Sequence, residues 1–547
     1  MFRKVNKISG NIVDLINSKI FPGTLKISGG KITEIIPNNQ KYDYFIIPGL
    51  VDAHIHIESS MLVPSEFARL AVIHGTVAVV SDPHEMANVL GIEGIRYMID
   101  NGKKVPFKFY FGVPSCVPAT DFETSGARIT AEETEILFHK DKLNNLSEMM
   151  NFPGVLADDP GILSKITIAQ KYGKPIDGHA PGLKGEELLK YIEAGISTDH
   201  EAYQFEEGLE KVKAGMKILI REGTAAKNFT ELIGLINEYS DLCMFCCDDK
   251  HPNELVKSHI NGIMKQAFNM GYDKFKVLKC ASVNPVKHYN LDVGLLQKGD
   301  PADFLIIDSF EEFNILKTYI DGRLVAENGR SLEPQSKAGI INNLKIKPKQ
   351  ASDFTVKALP GRIKVIEALD GELVTNKITV EPKVVVGNIV SNPEIDILKI
   401  AVVNRYVDTP PAVAFIKNFG LKTGAIASSV AHDSHNIIAV GVNDQDIANV
   451  VNLIIKARGG LAAVAGDKSE LLPLPVAGLM SVEGGFRVAQ EYEQLAKFAK
   501  EQLGSTLKDP FMTMSFMSLL VIPAIKISDK GLFDVERFQF IDLFEKE

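Results

Sequence analysis

Val51–Asp52–Ala53–His54–Ile55–His56 is the stretch from which the fold of this chain can be worked out. In an extended strand, residues two apart share a face, so the imidazoles of His54 and His56 can approach one metal ion together. The apolar run Phe45–Ile47 leads into it, and one strand is expected from Phe45 to His56. A lone His-x-His pair is weak evidence. Here it heads a repeating unit of apolar run, polar loop and helix-length segment. The later runs are Thr76–Val80, Phe107–Phe111, Leu146–Met150, Pro175–Asp177, Ile196–Asp199, Met216–Ile220 and Leu242–Cys246. About eight candidate strands in roughly 240 residues match a (β/α)8 TIM-like barrel. The alternation calls for parallel pairing. A doubly wound open sheet would bring a glycine-rich turn after its first strand, and none is present.

Barrel enzymes build their sites at the C-terminal ends of the strands. His179 follows the run ending in Asp177–Gly178, His200 follows Thr198–Asp199, and Asp248 follows Cys246–Cys247. With His54 and His56 they stand at the expected ends of strands one, five, six and eight. Imidazole and carboxylate donors suit Zn, Fe or Mn, and no paired-cysteine motif points to a structural zinc. The adjacent Cys246–Cys247 pair is poorly spaced to chelate one ion, so packing is its expected role.

On either side of this zone the texture changes. Lys26–Ile27–Ser28, Gly29–Gly30 and Lys31–Ile36 read as a hairpin. Gly299–Asp308 is a turn followed by a strand, and Val325–Arg330 looks like a further arm. Residues 1–47 and 286–348 are therefore expected to form one small β-sandwich around the barrel segment 48–285. Residues 349–547 read as a separate α+β domain, with strands at Lys383–Gly387, Ala401–Val403 and Ile437–Gly441. Helical periodicity covers Asp444–Arg458 and Phe486–Leu503.

At 547 residues the chain is too long for one core. Its 45% apolar and 24% charged residues are those of a soluble globular protein. A net charge of −9 argues against a nucleic-acid partner. No apolar run approaches the roughly 20 residues that span a bilayer, and no leader pattern opens the chain. Five cysteines form no even framework, which fits a cytoplasmic protein with reduced thiols.

Pro48–Gly49–Leu50–Val51–Asp52–Ala53–His54–Ile55–His56 resembles the first-strand signature of the amidohydrolase superfamily, and Gly299–Asp300–Pro301–Ala302–Asp303 resembles the segment where that chain re-enters its β domain. Ser81–Asp82–Pro83–His84–Glu85, Met149–Val155, Asp177–Gly182, Thr198–Glu201 and His432–Asp433–Ser434–His435–Asn436 resemble the adenine deaminase family within it. The likeness runs over essentially the whole chain.

The resemblance implies two divalent ions, Mn2+ foremost with Fe2+ or Zn2+ as the others. His54, His56 and Asp248 would hold one, His179 and His200 the second, and Glu148 would bridge them in place of a carboxylated lysine. It further implies hydrolysis of adenine to hypoxanthine and ammonia, with hydroxide attacking C6 and Asp248 shuttling the proton. A second acid must serve the ring nitrogen, and Glu201 and Glu85 are the candidates. Asp82, His84 and His435 are candidate substrate-binding residues.

The 432–436 cluster reads equally as a cap over the barrel mouth or as a buried hydrogen-bond network. Cys247 departs from the Thr common in the family. The doublet Asp248–Asp249 leaves two possible ligands, of which Asp248 is expected to face inward. The expected partner is the small-molecule substrate alone, in a homodimer. The competing activity is another amidohydrolase reaction on the same centre, such as cyclic amide hydrolysis or amino-sugar deacetylation.

Overall fold

In the computed structural model, residues 5–545 are described; the outermost residues of the expected first and last domains, 1–4 and 546–547, lie outside them. The barrel strands are β1 (Leu50–His56), β2 (Thr76–Ser81), β3 (Lys108–Phe111), β4 (Leu146–Met149), β5 (Ile176–Gly178), β6 (Thr198–Asp199), β7 (Lys217–Arg221) and β8 (Cys243–Cys246). β1 to β3 pair in parallel, a parallel bridge from Val113 to Leu146 leads on to β4, and β4 pairs with β5. The Ser197 amide donates to Ile176 O at 2.9 Å, and β6 to β8 continue in parallel. Asp248–Asp249, just beyond β8, pairs with Ile55 and His56 of β1 and closes the ring.

The strand expected from Phe45 to His56 is two strands. Phe45–Pro48 pairs antiparallel with Phe304–Ile307, whereas β1 pairs with β2. Gly49 lies at the change of partner, and a Cβ there would sit 2.4 Å from Val77 Cγ2. Only a residue without a side chain lets the chain pass so close to β2.

The segments flanking the barrel share one eight-stranded sheet. Its order is Arg330–Ser331, Arg323–Glu327, Ile315–Ile320, Phe304–Ile307, Phe45–Pro48, Lys7–Asp14, Lys19–Ser28 and Lys31–Pro37. Ile12, Leu25, Ile27, Ile46, Phe304 and Leu324 come from both flanks and pack in one apolar interior. This is why neither flank can form the sheet alone. Sheet and barrel belong to one compact unit.

A second compact unit runs from Ala338 to the end of the described chain and also takes in His84–Ile95 and Cys116–Ile129. Its eight-stranded mixed sheet has the order Thr375–Val380, Ile363–Ala368, Ala412–Lys417, Ile397–Val403, Ile437–Gly441, Ala425–Ser428, Gly460–Ala465 and Lys468–Pro473. The helix Asp444–Ala457 is capped by the Asn443 side chain, which accepts from the Asp446 amide. It buries Ile447, Val450, Val451 and Ile454 against Ala401, Ala427 and Ala439 of the sheet. Each such side chain contributes about 1.5–3 kcal/mol, so this face outweighs the single cap. Residues 432–436 lie in the connection between the antiparallel neighbours Ala425–Ser428 and Ile437–Gly441.

Candidate metal centre

The first unit brings six of the expected residues together at the C-terminal ends of its strands. Strand alternation puts His54 and His56 on one face of β1, with their Nε2 atoms 3.2 Å apart. Asp248 Oδ1 lies 3.4 Å from His54 Nε2 and 3.1 Å from His56 Nε2. Glu148, on β4, divides its carboxylate between two groups of imidazoles. Its Oε1 is 3.2 Å from His56 Nε2, whereas Oε2 is 2.8 Å from His179 Nδ1 and 3.2 Å from His200 Nε2. His54 and His200 stack at 4.2 Å, holding the two groups side by side. All six residues are largely buried.

This donor set fits cations. His56 Nδ1–H donates to the Asp82 carbonyl at 3.1 Å, so in the neutral ring it is Nε2 that turns its lone pair to the cluster. Metal–ligand bonds of about 2.0–2.2 Å put neighbouring donors roughly 3.0–3.5 Å apart, close to the 2.8–3.4 Å found here. Burial alone would lower the pKa of His54 and His56, yet Asp248 and Glu148 raise both. His179 is likewise pushed up to about 9 despite burial, by Glu201 and Glu148. The pocket thus draws positive charge, and protons compete with cations for it.

The Asp248–Asp249 doublet separates cleanly. Asp248 meets the histidines, while Asp249 Oδ1 accepts from Ser59 Oγ at 2.5 Å. Glu201 Oε1 stands 3.6 Å from His200 Nε2 and 3.9 Å from His179 Nδ1. Arg221, at the end of β7, reaches both Glu201 and Asp248 and is absent from the sequence expectations. Burial opposes ionisation of both acids, but Arg221 holds Glu201 below and Asp248 well below the usual carboxylate range. Asn228, also unanticipated, donates to the carbonyls of His200 (3.0 Å) and Ala202 (2.8 Å). Lys211 braces the same loops from below: its Nζ donates to Ala180 O and to Asp199 Oδ2.

Asp82 belongs to this unit, and its backbone carbonyl orients His56. His84, Glu85 and His435 belong to the second unit. There the Glu85 carboxylate meets His432 Nδ1 at 3.2 Å and His435 Nε2 at 4.0 Å, and His84 Nε2 is 3.9 Å from Asp433. Phe516 stacks on His432 at 4.4 Å. The main chain around the cluster is held by Arg405, whose Nη1 donates to His435 O (3.3 Å) and Ala477 O (2.8 Å), and by Tyr406, whose hydroxyl donates to Ser434 O (2.5 Å). Burial pushes His435 well down, so its imidazole is neutral. Glu123 is pushed up to about 8 by burial and by Asp433 beside it.

All five cysteines are buried and none forms a disulfide. Burial pushes the Cys246 and Cys247 thiols well up, in keeping with a packing role. Cys247 nevertheless shares a donor cluster with Asp52 and His259, in which His259 Nε2 lies 3.0 Å from Asp52 and Nδ1 2.6 Å from Thr76 Oγ1.

Comparison with known proteins agrees with this architecture. The model of the amidohydrolase family matches residues 45–325, and that of the adenine deaminase C-terminal domain matches residues 372–539. An adenine deaminase of Sulfurovum sp. is 54% identical over 98% of this chain and 99% of its own length. The adenine deaminase of Methanosarcina mazei is 52% identical over 99% and 100%, and that of Salinibacter ruber 50% identical over 98% of each.

Proposed function

This chain belongs to the adenine deaminase family of amidohydrolases, and from that premise we propose that it hydrolyses adenine to hypoxanthine and ammonia at a two-metal centre held by His54, His56, Glu148, His179, His200 and Asp248. The observation that carries the binuclear reading is the division of the Glu148 carboxylate, one oxygen toward His56 and the other toward His179 and His200. Two divalent ions in such a centre lower the pKa of a water toward about 7. Mn2+ is the proposed metal, with Fe2+ and Zn2+ as the other ions that mixed nitrogen and oxygen donors accept.

Asp248 takes a proton from the attacking water and returns it to the departing amine. Its Oδ1 faces the histidines, and its ionised form is the one able to accept. Addition at C6 also requires a proton on the neighbouring ring nitrogen. Glu201 rests as a carboxylate beside Arg221, so it would serve by taking the water's other proton and passing it to that ring nitrogen. Glu85, paired with His432, is the second candidate for that step. Asp82, His84 and His435 are assigned to substrate recognition. A neutral His435 offers one donor and one acceptor, which matches an uncharged heterocycle. The working form is proposed as a cytoplasmic homodimer; among the described residues no helix is long and apolar enough to cross a membrane.

The test is ammonia release from adenine, with adenosine, cytosine and a cyclic amide alongside, using chelator-stripped protein refilled with Mn2+, Fe2+ or Zn2+. Adenine turnover that needs two metal equivalents supports the reading. Full metal loading without adenine turnover moves the function to another amidohydrolase reaction. Asp248→Asn is expected to lose turnover while keeping both metals, and near-normal turnover in that variant rejects the shuttle.

A further inference from the structure

We propose that Arg221 is a positioning residue for the reaction: one buried guanidinium that sets the free oxygen of Asp248 and the carboxylate of Glu201 relative to the histidine cluster. The inference rests on the function proposed above. Arg221 Nη1 donates to Asp248 Oδ2 at 2.5 Å and also meets Glu201 Oε1, while Nε donates to Ala226 O at 2.7 Å. Asp248 therefore has one oxygen toward His54 and His56 and the other in the grip of Arg221.

The local backbone brings Arg221 and Asp248 side by side. After β7 the chain lies directly along residues 246–249: the Glu222 amide donates to Cys246 O at 3.1 Å and the Thr224 amide to Asp249 O at 2.8 Å. A Cβ on Gly223 would stand 2.5 Å from Cys247 O and 2.7 Å from Asp249 O, so only glycine permits the approach. Asp248 itself has φ +54°, a left-handed conformation that non-glycine residues keep only where neighbouring contacts over-determine it. On the other flank the Arg221 amide donates to Asn228 Oδ1 at 2.7 Å, and Asn228 in turn grips the carbonyls of His200 and Ala202 on either side of Glu201. The ends of β6, β7 and β8 are thus tied through one arginine.

Two buried carboxylates close to one histidine cluster repel each other unless a cation lies between them. Lysine supplies the charge but not the fork that reaches both acids and Ala226 O at once.

The test compares wild type, Arg221→Lys and Arg221→Ala, each loaded with Mn2+, by metal content, Mn2+ affinity, and kcat and KM for adenine, with and without millimolar guanidinium. Loss of an outer partner of a metal ligand weakens metal affinity or activity by about 10–100-fold. Arg221→Ala is expected to lose kcat by that factor with KM little changed, and to bind Mn2+ more weakly. Guanidinium should restore part of both losses, and Arg221→Lys should recover less than full activity. Arg221→Ala with wild-type kcat and Mn2+ affinity overturns the proposal. So does a loss that guanidinium leaves untouched, because a purely structural role predicts that result. If Arg221→Ala fails to fold, Arg221→Lys is decisive, and wild-type kcat and Mn2+ affinity in it overturn the clamp. If wild type itself does not turn over adenine, the functional reading fails, and the clamp is still judged on Mn2+ affinity and its rescue.

Discussion

The molecule holds two histidine–carboxylate clusters made from the same residue types, and their geometry separates them. In the barrel unit, donor atoms of His54, His56, His179, His200, Glu148 and Asp248 stand 2.8–3.4 Å apart, and Glu148 is shared between two groups. In the second unit, Glu85 lies 3.2 Å from His432, and the pairs His432–Asp433, His84–Asp433 and His435–Glu85 are separated by 3.8, 3.9 and 4.0 Å. There the loop is held by Arg405 and Tyr406 through backbone carbonyls, and Phe516 covers one face of His432. The first arrangement suits cations, the second a fixed hydrogen-bonding surface. Residue type alone does not distinguish them; convergence of lone pairs does.

Glu148→Gln should have the largest effect. It removes the charge shared by the two imidazole groups, so activity is expected to fall by more than about a hundredfold. Elemental analysis should show metal falling from two toward one per chain. Full metal and activity would break the contrast at its centre. His435→Gln comes next: metal content should stay intact while kcat/KM for adenine drops roughly 10–100-fold, the cost of one lost hydrogen bond in a buried site. Loss of metal in that variant would break the contrast.

A smaller effect is expected from Glu123→Gln, read as melting temperature against pH. Glu123 carries its proton up to about pH 8 in the folded unit but only up to about 4.5 when unfolded. Its contribution to stability is complete below pH 4.5 and is lost as pH rises through 8. Wild type should therefore lose a few degrees more than Glu123→Gln between those limits. Parallel curves would show that the carboxyl is ionised in the fold. The least change is expected for Cys247→Thr. It alters a fully buried packing position outside the six-residue cluster, so metal content and turnover should hold within about twofold, with destabilisation of roughly 1 kcal/mol. A loss of bound metal would assign Cys247, with Asp52 and His259, a ligand role instead.

Much of this architecture is legible before any coordinates. The barrel strands declare themselves as short apolar runs, because both faces of a parallel barrel strand are covered. The histidines at their ends stand out because an imidazole after an apolar run has little reason to be there by packing alone. The break at Gly49 is invisible, since the apolar pattern continues unchanged while the pairing partner switches. Arg221 is also invisible. An arginine at a strand end looks like a solvated charge, and its partners Glu201 and Asp248 lie 20 and 27 residues away. The available signal was Arg-Glu-Gly after strand seven, a glycine where the chain must touch the next strand's end.

By itself, then, the sequence determined the strand–helix alternation and the chemistry of the donors, because these depend on local patterns of burial and on side-chain type. Tertiary structure decided which atoms meet. Asp248 and not Asp249 turns to the histidines, Glu148 splits its two oxygens, and one arginine ties three strand ends. Each of these follows from how the strands close into a ring, and no local pattern encodes the angle at which that closure brings side chains together.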